Sequence, residues 1–304
     1  MARFRSANSM GRSTESQESI GINETLAPER LIGEILAERA NLSAAQVDEI
    51  LSYARENGIR FGDAAVAMGL VSQDDVLQAL AEQFGYPYAT AERRKLSPEL
   101  VALNQPFSLQ AESFRAIRSE VMTRVFVHGE QRRALAVVSP ATRDGKTYFS
   151  ANLAISFAQI GGRTLLVDAD LRGPRQHEVF NVSNGAGLSS LLAGHVDSQV
   201  IQQVPDMPSL FVMPGGVTPP NPLELVERPT FGALLRELTS KFDHVIVDTP
   251  AAMYGVDAQV IAARCGAALV VARKDQSRVA ELQQLVAALS GSTARMAGVI
   301  MNEF

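Results

Sequence analysis

Six short apolar runs in the last two-thirds of the chain constrain its fold more than any other feature: residues 134–139, 163–168, 210–213, 244–248, 267–272 and 297–301. Most are near-continuous Val, Ile, Leu and Ala, without the alternation of a strand that has one wet face. Strands of a parallel sheet, buried on both faces, have that composition. Segments of helical periodicity lie between the runs and supply the crossovers such a sheet needs. The expected architecture is α/β, a doubly wound and mostly parallel sheet.

Three of the runs end in residues that handle phosphate or metal. The first continues as Val137-Val138-Ser139-Pro140-Ala141-Thr142-Arg143-Asp144-Gly145-Lys146-Thr147. A strand, a loop and then Gly-Lys-Thr opening a helix form the setting of a P-loop. Residues Thr142, Arg143, Asp144, Gly145, Lys146, Thr147 and Tyr148 would cradle the phosphates. Lys146 would reach the β/γ oxygens and the Thr147 hydroxyl would hold Mg²⁺. Pro140 stands where the P-loop pattern has its first glycine. The second run ends Asp168-Ala169-Asp170-Leu171-Arg172. Carboxylates two residues apart at a strand end can share one face, and there they bind Mg²⁺ or accept a proton. The third, Val245-Ile246-Val247-Asp248, delivers one Asp as a Walker-B position does. Each signal alone has a bland reading: an exposed lysine, a solvated acidic turn, a structural Asp. Three strands carrying them to one sheet edge predict ATP with Mg²⁺.

Residues from about 107 to 304 resemble the bacterial tyrosine kinases of polysaccharide biosynthesis, and among them the exopolysaccharide chain-length-determinant branch. The resemblance rests on Glu112-Ser113-Phe114-Arg115-Ala116-Ile117-Arg118, on the paired-Asp strand end, on Pro220-Asn221-Pro222-Leu223-Glu224-Leu225 and on Asn302-Glu303-Phe304. It implies a partition-ATPase-like P-loop domain over residues 109–304 that transfers phosphate from ATP to tyrosine. By the same resemblance Lys146, Asp168 and Asp170 are catalytic, the two carboxylates being candidates to activate the tyrosine hydroxyl. Thr147, Asp168 and Asp248 would surround the metal, and Arg172 and Asn302 would contact the nucleotide, Asn302 at the adenine. Glu112, Arg115 and Arg118 would build a homo-oligomer; they also share one helical face by their spacing. A membrane polysaccharide co-polymerase is the implied partner. Kinases of this family usually end in clustered tyrosines, whereas Tyr53, Tyr86, Tyr88, Tyr148 and Tyr254 are scattered, so no self-phosphorylated tail is expected. The competing reading is a nucleotide-switched assembly ATPase of the partition type. Such ATPases carry a second lysine early in the loop, where this chain has Ala141.

Ahead of the sheet, residues 1–27 read as a polar, disordered arm and 28–89 as a small helical module. The module repeats with a period of about 29 residues: Gly33-Glu34 through Ser43 matches Gly62-Asp63 through Ser72. Both serines are N-cap candidates. The module resembles the N-terminal domains of type II secretion and pilus ATPases, some of which bind cyclic di-GMP through Arg-Leu-Gly-type motifs. Arg60-Phe61-Gly62 fits, but Leu31 occupies the arginine position of the first copy. A cyclic dinucleotide needs arginine for its phosphates and guanine edges. Protein docking is therefore the preferred role, with cyclic di-GMP as the alternative. Residues 90–108, with Arg93-Arg94-Lys95, Pro98 and Pro106, read as a linker.

Charge and composition exclude other classes. A net charge of −5 gives no general pull toward nucleic acid or anionic lipid. No apolar run approaches the ~20 residues of a membrane-spanning helix, and no apolar stretch follows Arg3, Arg5 and Arg12 as in a secretory signal. The expectation is a cytoplasmic protein recruited to the inner membrane by its partner. Its single cysteine, Cys265, can form no internal disulfide.

Overall fold

The computed structural model describes residues 31–83, 96–195, 200–205 and 207–303. The polar arm, the turn Gly85-Tyr86-Pro87-Tyr88, the run Arg93-Arg94-Lys95 and Phe304 lie outside them.

Four helices make up the N-terminal region: α1 (Ile32–Arg39), α2 (Ala44–Asn57), α3 (Phe61–Ala67) and α4 (Gln73–Gln83). The repeat in the sequence is a repeat in space, since both long helices start the same way. The Ser43 hydroxyl accepts from Gln46 N at 3.3 Å while Gln46 Oε1 accepts from Ser43 N at 2.9 Å. At α4 the Ser72 hydroxyl accepts from Asp75 N at 3.1 Å and Asp75 returns the bond to Ser72 N at 2.8 Å. Such reciprocal caps satisfy orphan donors of the first turn. Ile35, Leu36, Ile50, Ala54, Ala64, Ala65, Val71 and Ala79 form a core of their own. Helices α3 and α4 approach so closely at Gly62 that a Cβ there would lie 2.7 Å from Val76 Cγ1.

The rest runs α5 (Val101–Asn104), α6 (Leu109–Arg124), β1 (Ala134–Val138), α7 (Lys146–Ala158), β2 (Thr164–Asp168), α8 (Gln176–Val179), α9 (Leu188–Leu192), β3 (Gln202–Gln203), β4 (Leu210–Met213), α10 (Pro222–Glu227), α11 (Pro229–Lys241), β5 (His244–Asp248), α12 (Asp257–Cys265), β6 (Gly266–Arg273), α13 (Val279–Ser290) and β7 (Arg295–Asn302). The strands form one sheet in the order β3-β4-β2-β5-β1-β6-β7. All neighbours are parallel except β3, which pairs antiparallel to β4. All six expected strands are present. The seventh, β3, is two glutamines at an edge, where no buried face demands an apolar run.

The sheet is wound on both faces, which explains its composition. Leu135 and Val137 of β1 pack into one core with α5, α6 and α7. Ala134, Ala136 and Val138 of the same strand pack into the other, with α11, α12 and α13. In the first core Phe157 of α7 is fully buried between Phe126 and His244, with ring centroids 5.3 and 4.5 Å away. Burial pushes the His244 imidazole down to about 4, so it is neutral near neutral pH. From β1 the chain crosses past the place of β5 to reach β2, then returns to fill the gap. Ligands of doubly wound sheets bind at the carboxyl ends of the strands where the winding reverses in this way. Truncating Phe157 to Ala is expected to cost about 3–5 kcal/mol, read as a lowered midpoint in urea denaturation followed by circular dichroism.

Candidate functional site

The reversal sets two carboxylates side by side. In the β2–β5 register Asp168 is the partner of Asp248, and in the β1–β5 register Val137, just before the loop, is also opposite Asp248. Both side chains are buried, as are Lys146 and Asp144.

The loop between β1 and α7 is held from several directions. Asp144 accepts from Ala141 N at 2.8 Å on one oxygen and from the Ser277 hydroxyl at 2.8 Å on the other. Arg273 Nη1 donates to Arg143 O at 3.1 Å, and Asn302 Nδ2 donates to Asp144 O at 3.0 Å. Beyond β5, a 3-10 turn at Ala252–Tyr254 donates from Ala252 N to Ser139 O at 2.9 Å and from Met253 N to Pro140 O at 3.0 Å. Pro140 is thus used for its carbonyl, which proline retains. Gly145 caps α7 with φ +96°, and a Cβ on it would lie 2.3 Å from Asn302 Nδ2. Lys146 Nζ turns back to the Ser139 hydroxyl at 3.0 Å, and that hydroxyl donates to Ala141 O at 2.7 Å.

The carboxylates are arranged around Gln176, fully buried at the start of α8. Asp168 Oδ2 accepts from Arg175 N and Gln176 N, both at 2.9 Å. The Gln176 side-chain amide donates to Asp248 Oδ2 at 2.9 Å, and its nitrogen also lies 2.9 Å from the Ser150 hydroxyl and 3.1 Å from Thr147 O. Burial, and then the neighbouring Asp248 charge, hold the Asp168 carboxyl well above the usual carboxylate range. Burial likewise raises Asp248 to about 6, against the lowering pull of the Lys146 charge and of the hydrogen bond from Gln176. Two buried oxygens at this place, Asp248 Oδ1 and Gln176 Oε1, have no hydrogen-bond partner. An unmet buried acceptor costs about 1–3 kcal/mol.

These orphaned acceptors and raised carboxyls suit a hard cation. Among the described residues no group of three or more His, Cys, Asp or Glu forms a metal cage. Magnesium, which keeps waters and takes one or two carboxylates plus phosphate oxygens, fits that donor set. Thr147 and Asp170, both partly buried, stand at the same edge. Asp170 Oδ1 accepts from Arg172 N at 3.2 Å and Gly173 N at 3.1 Å.

Other candidates lie differently. The Arg172 guanidinium closes on Asp257, with Nε at 3.0 Å and Nη2 at 3.1 Å from its two oxygens. Thr142 and Arg143 are exposed, and Arg143 takes φ +64°. Tyr148 is half-buried and packs edge-on against Phe114, centroids 5.9 Å apart. On α6, Glu112 is exposed, Arg115 pairs with it at 2.5 Å and also donates to Pro106 O, and Arg118 Nη1 donates to Ser156 O at 2.7 Å. Gln176, Ser277, Arg273 and Asp257 escape a reading of the sequence. None belongs to a motif, and only the folded sheet brings Arg273 and Ser277 to the loop, Gln176 to the carboxylates and Asp257 to Arg172.

Residues 135–304 match the family model described as the CobQ/CobB/MinD/ParA nucleotide binding domain. Tyrosine-protein kinase YwqD of Bacillus subtilis is 30% identical over 208 residues, which cover 68% of this chain and 87% of YwqD. Tyrosine-protein kinase ptk of Acinetobacter johnsonii is 32% identical over 212 residues, 69% of this chain but only 28% of ptk. Among solved structures, the kinase domain of Escherichia coli tyrosine kinase ETK superposes with a TM-score of 0.64 at 33% identity, covering 69% of this chain and 81% of that domain.

Gly145→Ala tests the cradle. The added methyl displaces Asn302 and strains the cap, so ATP affinity by calorimetry should fall more than about tenfold, or about 1.4 kcal/mol, with the circular dichroism spectrum retained.

Proposed function

The chain belongs to the bacterial tyrosine-protein kinases built on the CobQ/CobB/MinD/ParA nucleotide-binding domain, and on that footing we propose that it is an ATP-dependent protein-tyrosine kinase acting in exopolysaccharide synthesis. The observation that carries this reading is the convergence of the Gly145-Lys146-Thr147 loop, Asp168 and Asp248 at one sheet edge. In this account the loop amides bind the phosphates of ATP. Lys146, held by the Ser139 hydroxyl, exchanges it for β/γ-phosphate oxygens. Thr147, Asp168 and Asp248 would hold Mg²⁺, which supplies neutralisation of phosphate charge when bound. Asp170 is the better placed of the two candidate bases. Asp168 has both oxygens engaged by backbone N–H groups, whereas Asp170 uses one oxygen in its turn and is partly exposed. It accepts the tyrosine proton as the hydroxyl oxygen attacks the γ-phosphorus in line and ADP departs.

The competing assembly-ATPase reading is less well supported. Ala141 offers no second lysine, and its backbone N–H is bound by Asp144. Oligomer formation through α6 is supported by Leu109, 88% exposed beside Glu112 at the start of that helix. Among the described residues no helix is long and apolar enough to cross a membrane, which is consistent with recruitment by a membrane polysaccharide co-polymerase. For α1–α4 we favour protein docking; Leu31 in the arginine position argues against cyclic di-GMP.

Incubation with labelled ATP and Mg²⁺ should place label on tyrosine, identified by phosphoamino-acid analysis; phosphate release with unlabelled protein would favour the assembly ATPase. Asp170→Asn should lower the phosphotransfer rate about 10²–10⁴-fold and leave ATP affinity near that of the unaltered protein. An unchanged rate removes Asp170 from the base position.

A further inference from the structure

We propose that Gln176 is a positioning residue of the magnesium site, coupling the P-loop helix to the Asp168–Asp248 pair. This rests on the reading of the site as one for magnesium nucleotide, and adds to it a residue that no motif marks.

Its geometry is hard to explain by packing alone. Gln176 is fully buried among charged groups at the sheet edge. Through its backbone N–H it holds Asp168 Oδ2, and through its side-chain nitrogen it reaches Asp248 Oδ2, Thr147 O and Ser150 Oγ. One residue thus touches both carboxylates and the first turn of α7. The three acceptors around the nitrogen fix the amide orientation, since a flipped amide would turn its oxygen onto a carboxylate and a carbonyl. In the orientation so fixed, Oε1 is buried with no donor, and so is Asp248 Oδ1, the other oxygen of the carboxylate that Gln176 holds. Two such acceptors beside a pair of buried carboxylates suit a cation or the waters that a cation holds. A glutamine placed only to fill space would have no need of either.

Gln176 would therefore hold Asp248 in orientation for a metal, with its own oxygen available to a water of that metal. Residues that orient metal ligands typically carry 10–100-fold in metal affinity. The folded full chain is titrated with ATP in excess Mg²⁺ and again in EDTA, by calorimetry, for wild type and Gln176→Leu. The Leu variant should bind Mg-ATP about tenfold or more weakly, with affinity in EDTA unchanged and a higher Mg²⁺ midpoint at fixed ATP. Equal losses with and without Mg²⁺, or no loss, would overturn the proposal. Should the Leu variant fail to fold by circular dichroism, Gln176→Met, unbranched like glutamine, carries the same test. If wild type shows no Mg²⁺-dependent binding, the reading of the whole site falls with it; if wild type does and the variant matches it, only the role of Gln176 falls.

Discussion

The structure depends on one costly juxtaposition: Asp168 and Asp248, buried as register partners on adjacent parallel strands. Two carboxylates so placed resist ionising together, and each is pushed toward its neutral form by loss of water. That register sets Leu166 and Ile246 into one core and Leu165, Val167, Val245 and Val247 into the other. Burial of the rest of both strands is what keeps the acidic pair where a cation can relieve it.

Around that pair the chain builds rigidity from many small bonds. The P-loop is held by Asp144, Ser277, Arg273, Asn302 and the turn at Ala252–Tyr254, so elements from both sides of β1 fix its shape. A loop held in this way offers its amides to phosphate without reorganising, which is the condition under which electrostatic stabilisation of phosphoryl transfer is strongest. The same interactions show why Pro140 is tolerated where the P-loop pattern has glycine. Its carbonyl is the acceptor the turn requires, and no bond to its missing N–H is needed.

Much of this is legible in the sequence, for a physical reason. Strands buried on both faces must be apolar throughout, so β1, β2, β4, β5, β6 and β7 show themselves; β3, a pair of edge glutamines, does not. Gly145, Lys146, Thr147, Asp168 and Asp248 are legible because they stand in sequence patterns that phosphate and metal binding would demand, and the strand register brings them to one edge. Gln176, Ser277 and Asp257 are not, because their roles come from what the folded sheet sets beside them. The side-chain partners of Arg115, Arg118 and Arg172 are likewise set by tertiary packing: helical spacing gives a face, but not that Arg118 bonds to Ser156 O or Arg172 to Asp257. The N-terminal repeat is legible through its paired caps at Ser43 and Ser72, which local sequence alone specifies.

A magnesium nucleotide bound at the Asp168–Asp248 pair should draw protons off the raised carboxyls. Titration calorimetry of Mg-ATP binding at pH 6, repeated in buffers of different ionisation enthalpy, measures this directly. With burial raising both Asp168 and Asp248 above the usual carboxylate range, a cation that favours their ionised forms should release protons on binding, seen as a heat that varies with the buffer. Binding with no proton release at pH 6, or no binding of Mg-ATP at all, would contradict the account.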